Sequence, residues 1–307
     1  MLTEDYDLVI MNKIEKFKEN PLLPIAKIWE GCTNFIPSDR LFLGVSYFLR
    51  FHKCINWNHP VTFNEKLQWL KVNDHNDKYT KMVDKYEVRE IVGDRVKMFP
   101  LLGVWEKVEE IDFESLPNKF VLKPTHDSGS VEICKDKNSW DRIAACKRLQ
   151  KALNTNYFLK GREFPYKNVK RRIIAEQYME SFDIKELYDY KFMCFNGRVE
   201  MSFVVHNRFK KGGVYVDFYD REWNKMPFTR HYPTAEMAIP KPVNYERMIE
   251  LSEFFSTGIP FLRVDFYEIE GELYFGEFTF YPGGGLEPFQ PAEWDEKIGK
   301  LLKLKTK

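Results

Sequence analysis

Asp265 and Glu277 lie on two strand-like stretches, FLRVDFY (261–267) and LYFGEFTF (273–280), joined by a turn near Glu270-Gly271. Alternation along the first puts Leu262, Val264 and Phe266 on one face, and Arg263 and Asp265 on the other. Along the second it puts Glu277 with Thr279, Leu273 and Phe275. A turn with an odd number of residues would bring Asp265 and Glu277 to one face of the sheet; an even turn would split them. Two facing carboxylates repel unless a cation lies between them. Oxygen donors on adjacent strands suit Mg²⁺, a hard ion that completes its shell with water and phosphate oxygens. YPGGG (281–285) follows at once, and its glycines let main chain come close to a ligand.

A second stretch, FVLKPTHDSGSV (120–131), starts as a buried strand and then changes character. Lys123 at the strand end can set one positive charge on a phosphate. The small polar turn after it, His126 to Ser130, can close over phosphates and offer backbone N–H groups. On this stretch alone an ordinary exposed turn fits equally well. The chain has no G-x-x-x-x-G-K-[ST] and no G-x-G-x-x-G after a strand, so P-loop and Rossmann sites are not offered. The six histidines show no zinc spacing.

The elements that must carry these groups mix helix and strand. LVIMNKIEKFKE (8–19), FNEKLQWLKVND (63–74) and DKYTKMVDKYEVREIVG (77–93) have helical apolar spacing. Thr62 or Asn64 caps the second, and Gly93 ends the third. Short strands follow, then a helix over 139–154 with Ser139 as cap, and a strand over 171–179. YKFMCFNGRVEMSFVV (190–205) reads as a hairpin about Asn196-Gly197. A strand over 212–220, a helix over 242–258 and a last helix in AEWDEKIGKLLKL complete an α+β class.

A chain of 307 residues, 44% hydrophobic and 16% aromatic, can bury a large core. Its net charge of +1, from 47 basic and 46 acidic residues, lacks the basic excess of a nucleic-acid binder. KNVKRR (167–172) and KLLKLKTK (300–307) read as solvated faces. Five cysteines without C-x-x-C spacing read as reduced thiols of a cytoplasmic protein. The acidic N-terminus does not resemble a signal peptide, and no apolar run is long enough to span a membrane. Peripheral membrane association and the oligomeric state stay open.

The blocks DK (84–85), FVLKPTHDSGSV (120–131), IIAEQYM (173–179), RVDF (263–266) and GEFTFYPGG (276–284) stand in the order found in the ATP-grasp superfamily. VLKP and the Arg-x-Asp, Glu-x-x, Pro-Gly ending resemble D-alanine–D-alanine ligases. VTFNEKLQWLK, LLGVW, DYKFMCFNG, FYDREWN and PAEWD extend the likeness over most of the chain. They resemble the TupA-like branch, associated with teichuronopeptide and capsular polysaccharide synthesis.

The resemblance implies an ATP-grasp fold: two α+β subdomains clasping ATP, with a helical N-terminal region over 1–83. The central part and lid would cover 84–180, and the C-terminal subdomain with the metal site 181–307. It implies that Lys85 and Lys123 hold the ATP phosphates, and that His126, Asp127, Gly129 and Ser130 form the lid. Glu176, Gln177, Tyr178 and Met179 would be the hinge reading adenine, with Asp189 and Lys191 near ribose or phosphate. Asp265, Glu277 and Thr279 would bind Mg²⁺, while Arg263 and Gly284 would stabilise the tetrahedral intermediate. Many family members have Glu-x-Asn where this chain has Glu277-x-Thr279; a hydroxyl can ligate Mg²⁺ but donates less electron density than an amide carbonyl, which weakens the case for two metals. The implied reaction is ATP-dependent amide formation between small-molecule substrates, a carboxylate and an amine. A glycosyltransferase would want Asp-x-Asp, and DFYD (217–220) has the wrong spacing. A kinase on the same fold would use the same nucleotide residues. A non-catalytic carbohydrate-binding module would use the aromatics alone. Trp57, Trp69 and Trp223 offer faces for a sugar acceptor or, as tryptophans more commonly do, pack in the core.

Overall fold

The computed structural model describes residues 20–179, 187–207 and 213–305. The helix expected over 8–19 lies outside these residues. The helix Phe63–Asn73 starts with a reciprocal cap: the Thr62 hydroxyl accepts the Glu65 N–H, and the Glu65 carboxylate accepts the Thr62 N–H. Asn64 is thereby free for another task. Its amide and main-chain N–H both donate to the Asp295 carboxylate at 2.9 Å, tying this helix to the C-terminal end of the chain.

The single helix expected over 77–93 is two short ones, Lys78–Val83 and Val88–Val92. Asp84 interrupts it. Its carboxylate accepts the N–H groups of Tyr86 and Glu87 and also pairs with Arg172 at 2.7 Å, a local alternative to helix bonding. The helix Arg142–Asn154 is capped by Asp141, which accepts the Ala144 N–H, and not by Ser139. Ser139 bonds back to Asp136 instead.

Strands β1 (Leu101–Trp105), β2 (Phe120–Pro124), β3 (Glu132–Cys134) and β4 (Ile173–Gln177) form an antiparallel sheet in the order β1-β4-β2-β3. Strands β5 (Asp189–Phe195), β6 (Arg198–His206) and β7 (Tyr215–Asp220) belong to a second sheet. After the short β8 (Thr229–Arg230), this sheet adds β9 (Phe261–Ile269) and β10 (Glu272–Thr279), in the order β10-β9-β5-β6-β7. Asn196 and Gly197 turn β5 into β6 with φ of 52° and 87°, the two positive values a tight hairpin turn requires.

Alternation sorts each sheet into a core face and an open face. In the first, Phe120, Leu122, Ile173 and Ala175 pack under the helix Arg142–Asn154, leaving Lys123 and Glu176 on the other side. In the second, Phe192, Val264, Phe266 and Phe278 pack in the large core with the helix Tyr245–Ser256. Its other side carries Lys191, Arg263 and Asp265. The two charged faces border one cleft. Among the described residues no helix is long and apolar enough to cross a membrane.

Candidate active site

The β9–β10 turn has two residues, Glu270-Gly271, between the pair Ile269 and Glu272. An even turn by itself would send Asp265 and Glu277 to opposite faces. A β-bulge corrects this. Phe275 faces Phe266, but Phe278 faces Val264, so Gly276 and Glu277 together oppose Asp265. The extra residue moves Glu277 to the cleft face, while Phe275, before the bulge, stays in the core at 1% exposed. The expected grouping of Leu273 and Phe275 with Glu277 therefore fails at the bulge. Gly276 suits it because a Cβ there would stand 3.1 Å from the Asp265 carbonyl.

A cation already lies between the carboxylates. Arg263 Nη2 donates to Asp265 Oδ2 at 2.7 Å and to Glu277 Oε1 at 2.8 Å, and its Nε donates to Asp265 Oδ1 at 2.7 Å. Lys191, directly across from Asp265 on β5, pairs with Asp265 and with Asp189. Burial works against charge on Asp265, but Arg263 and Lys191 outweigh it and hold the carboxyl below its usual range. Burial likewise opposes charge on Arg263, and Asp265 and Glu277 reverse it, keeping the guanidinium charged.

From the lid side, Lys123 donates to Glu176 at 2.6 Å, and Arg89 takes the other oxygen of that carboxylate at 2.5 Å. Lys85 donates to the Asp127 carbonyl. Burial lowers the Lys85 pKa, opposed by the charges of Asp127 and Glu277, so Lys85 is near both the lid turn and the metal-ligand candidates. His126 is buried with its Nε2 3.1 Å from the Ala152 carbonyl, on the core side of the lid; burial lowers its pKa. The exposed tip is Ser128-Gly129, with Gly129 at φ 98°. Gln177 and Met179 line a cavity of about 610 Å³ together with Arg89, Pro100 and Tyr274. Tyr178 faces Lys135, whose ammonium is 5.8 Å from the ring centre.

Gly283, Gly284 and Gly285 all have φ between 60° and 64°, a left-handed run that side chains resist. The Gly284 carbonyl accepts from Gln68 and Lys71, and its N–H donates to the Tyr281 carbonyl. Both polar groups of Gly284 are thus engaged, and what it offers the cleft is a wall without a side chain. A Cβ on Gly285 would stand 2.5 Å from Gln68 Nε2 and 2.9 Å from Leu67 Cβ.

Asp265, Glu277 and the Thr279 hydroxyl, 3.3 Å from Glu277 Oε1, form an all-oxygen set around the point Arg263 now reaches. Hard oxygen donors suit Mg²⁺ in chemistry, although among the described residues no three His, Cys, Asp or Glu side chains gather as a metal site.

Sequence patterns missed Arg89, the second partner of Glu176, and Phe99, whose ring stacks on Tyr274 at 5.5 Å and lies 5.8 Å from the Lys123 ammonium. They also missed Lys71, Gln68 and Glu163, which lie far from the glycine turn in sequence and next to it in space. Trp223 stacks on Tyr219 at 4.2 Å and Trp69 packs against the main core, which gives both a packing role.

A family model described as TupA-like ATPgrasp matches residues 65–303. No curated protein matches. Among solved structures, the D-alanine–D-alanine ligase of Bacillus anthracis complexed with ATP aligns at 14% identity and a TM-score of 0.40, covering 65% of this chain and 55% of that one. The D-alanine–D-alanine ligase of Helicobacter pylori aligns at 14% identity and 0.39, covering 72% and 60%. The L-amino acid ligase of Bacillus licheniformis aligns at 12% identity and 0.47, covering 88% and 64%. In each case the match spans less than two thirds of the other chain.

Proposed function

The chain belongs to the TupA-like ATP-grasp family, and from that premise we propose that it is an ATP- and Mg²⁺-dependent carboxylate–amine ligase. The amide would join an amino acid or amine to a sugar acid during cell-surface polysaccharide synthesis. The observation that carries the reading is the convergence on one cleft of Lys85 and Lys123 with the Arg263–Asp265–Glu277 cluster. The sugar-acid part rests on the TupA-like branch.

Lys85 and Lys123 exchange Asp127 and Glu176 for phosphate oxygens of ATP. Asp265, Glu277 and Thr279 are the residues that would hold Mg²⁺, which when bound neutralises charge on the phosphates. A substrate carboxylate attacks the γ-phosphorus, giving an acylphosphate and ADP. The amine then forms the C–N bond as the bond from the acyl carbon to the phosphate oxygen breaks. Arg263 supplies positive charge where the oxyanion develops. The Ser128-Gly129 tip closes over the cleft and keeps water from the acylphosphate.

Calorimetry with Mg-ATP, followed by mass spectrometry of products from ¹⁸O-labelled sugar acids and amino acids, tests this. The expected outcome is ATP binding, an amide product, and label passing from the activated carboxylate to phosphate. ADP formed with label in neither phosphate nor amide would make the enzyme a kinase. Binding of a UDP-sugar and not of ATP would favour a glycosyltransferase.

A further inference from the structure

Behind the glycine turn lies a second cavity, of about 190 Å³, bordered by Phe42, Leu43, Lys71, Tyr157, Glu163 and Gly284. Its volume is below the several hundred Å³ of sites for drug-sized ligands. Four charged residues line it: Glu30 and Lys160, both exposed, and the less exposed Lys71 and Glu163. Lys71 is 2% exposed, donates to the Gly284 carbonyl at 2.8 Å, and lies 5.5 Å from the centre of the Tyr281 ring. Glu163 is half-buried and lines the cavity.

The two do not meet as an ion pair. Glu163 Oε1 and Lys71 Nζ each lie 3.9 Å from the point where a Cβ on Gly284 would be, so at most twice that distance separates them. Gly284 is what keeps the space between them clear. Buried opposite charges ordinarily close on one another, because isolation costs each of them solvation. Here the fold holds them apart. Arg162, next to Glu163, is in the left-handed conformation at φ 52°. Its buried guanidinium is bonded to Asp39 at 2.6 Å, to the Thr33 carbonyl at 2.6 Å and to the Ile36 carbonyl at 2.8 Å. Those bonds hold the strained residue, and with it the direction of Glu163.

Resting on the ligase reading above, we propose that this cavity is the amine-partner subsite and that it takes a small α-amino acid, with the ammonium on Glu163 and the carboxylate on Lys71. An α-amino acid carries its two charges on adjacent carbons, so it completes both groups at once within the gap. A lone amine or a lone carboxylate completes only one. The cavity also borders the proposed chemistry. The charges of Glu163, Glu277 and Arg263 all act on Tyr166, and the Tyr157 hydroxyl bonds Ser128 of the lid. Burial shifts both charged groups toward neutrality, Glu163 up to about 7 and Lys71 down to about 8, each opposed by the other's charge. The further groups facing Glu163 are Tyr157, Tyr166 and Tyr281.

The test is calorimetric titration of the full chain, with and without Mg-ADP. The ligands are glycine and both enantiomers of alanine, serine, aspartate and glutamate, together with propionate and ethylamine, which lack one charge each. At least one amino acid should bind, and the single-charge analogues should bind at least tenfold more weakly. Glu163→Gln and Lys71→Met should each weaken that amino acid tenfold or more while Mg-ATP still binds. Should either variant fail to fold, the analogue comparison on the wild type decides. Mg-ATP binding with no amino acid bound, analogues binding as well as the amino acid, or folded variants with unchanged affinity would each overturn the proposal. Amino-acid binding without Mg-ATP binding would uphold this subsite and overturn the ligase reading instead.

Discussion

Arg263 and Lys71 are both buried cations within reach of carboxylates, and the fold treats them in opposite ways. Arg263 is bonded to Asp265 and Glu277 at 2.7 and 2.8 Å. Lys71 is held away from Glu163 and bonds a main-chain carbonyl instead. In the first region the charges compensate one another before any ligand arrives, so a ligand binds by exchange of partners. In the second the charges are left incomplete, so a ligand binds by completing them. One arrangement favours the ligand-free fold, and the other is a cost that a ligand relieves.

The largest effect expected from this contrast is at Asp265. Asp265→Asn removes the carboxylate that compensates both Arg263 and Lys191. Turnover should be lost, and stability should fall by about 3 kcal/mol, as when one partner of a buried pair is removed. Glu277 is 41% exposed at its side chain, so Glu277→Gln should lose Mg²⁺-dependent turnover with a stability change under about 1 kcal/mol. Simple repulsion between the two carboxylates would instead make Asp265→Asn more stable. Thermal melts of the two variants without metal separate these outcomes.

Next in size is Lys123→Ala. Glu176 keeps Arg89 as a partner, so the fold should tolerate the change within about 1 kcal/mol. The loss of one charged contact to the transferring phosphate should lower turnover by about a hundredfold or more. If the variant unfolds while keeping its specific activity, the exchange of partners at Lys123 is refuted.

The smallest effect sharpens the second half of the comparison. The folded protein keeps a proton on Glu163 up to about pH 7, whereas the unfolded chain releases it near the ordinary glutamate value. Its contribution to stability is therefore complete below the unfolded pKa and is lost as pH rises to about 7. Lys71, lowered to about 8, acts in the other direction, and stability returns as pH rises from there toward the ordinary lysine value. Wild-type stability should show a shallow trough between about pH 7 and 8. Glu163→Gln should remove its acidic limb and melt higher by a few degrees at pH 7.5. Denaturant unfolding from pH 5 to 10 checks this; a falling limb kept in the variant would assign the trough to other groups.

Local rules carried far in this chain. The capping box at Thr62, the Asn196-Gly197 hairpin and the placement of Arg263 with Asp265 on one strand face follow from neighbouring residues alone. So do the strand end at Lys123 and the polar turn behind it, because propensity, turn chemistry and alternation act over a few residues. The tertiary structure decided what depends on register and on distant partners. The Gly276–Glu277 bulge brings Glu277 to the cleft because the core takes Phe275 and Phe278 on the same side, a balance of burial that alternation does not encode. Asp84 breaks a helix by accepting the Tyr86 and Glu87 N–H groups, and Arg172, distant in sequence, also pairs with it. Lys71, Glu163 and Gly284 lie far apart along the chain and share no motif. The helix Phe63–Asn73, fastened to Asp295 and to the glycine turn, and the Arg162 bonds beside Glu163 bring them to one cavity.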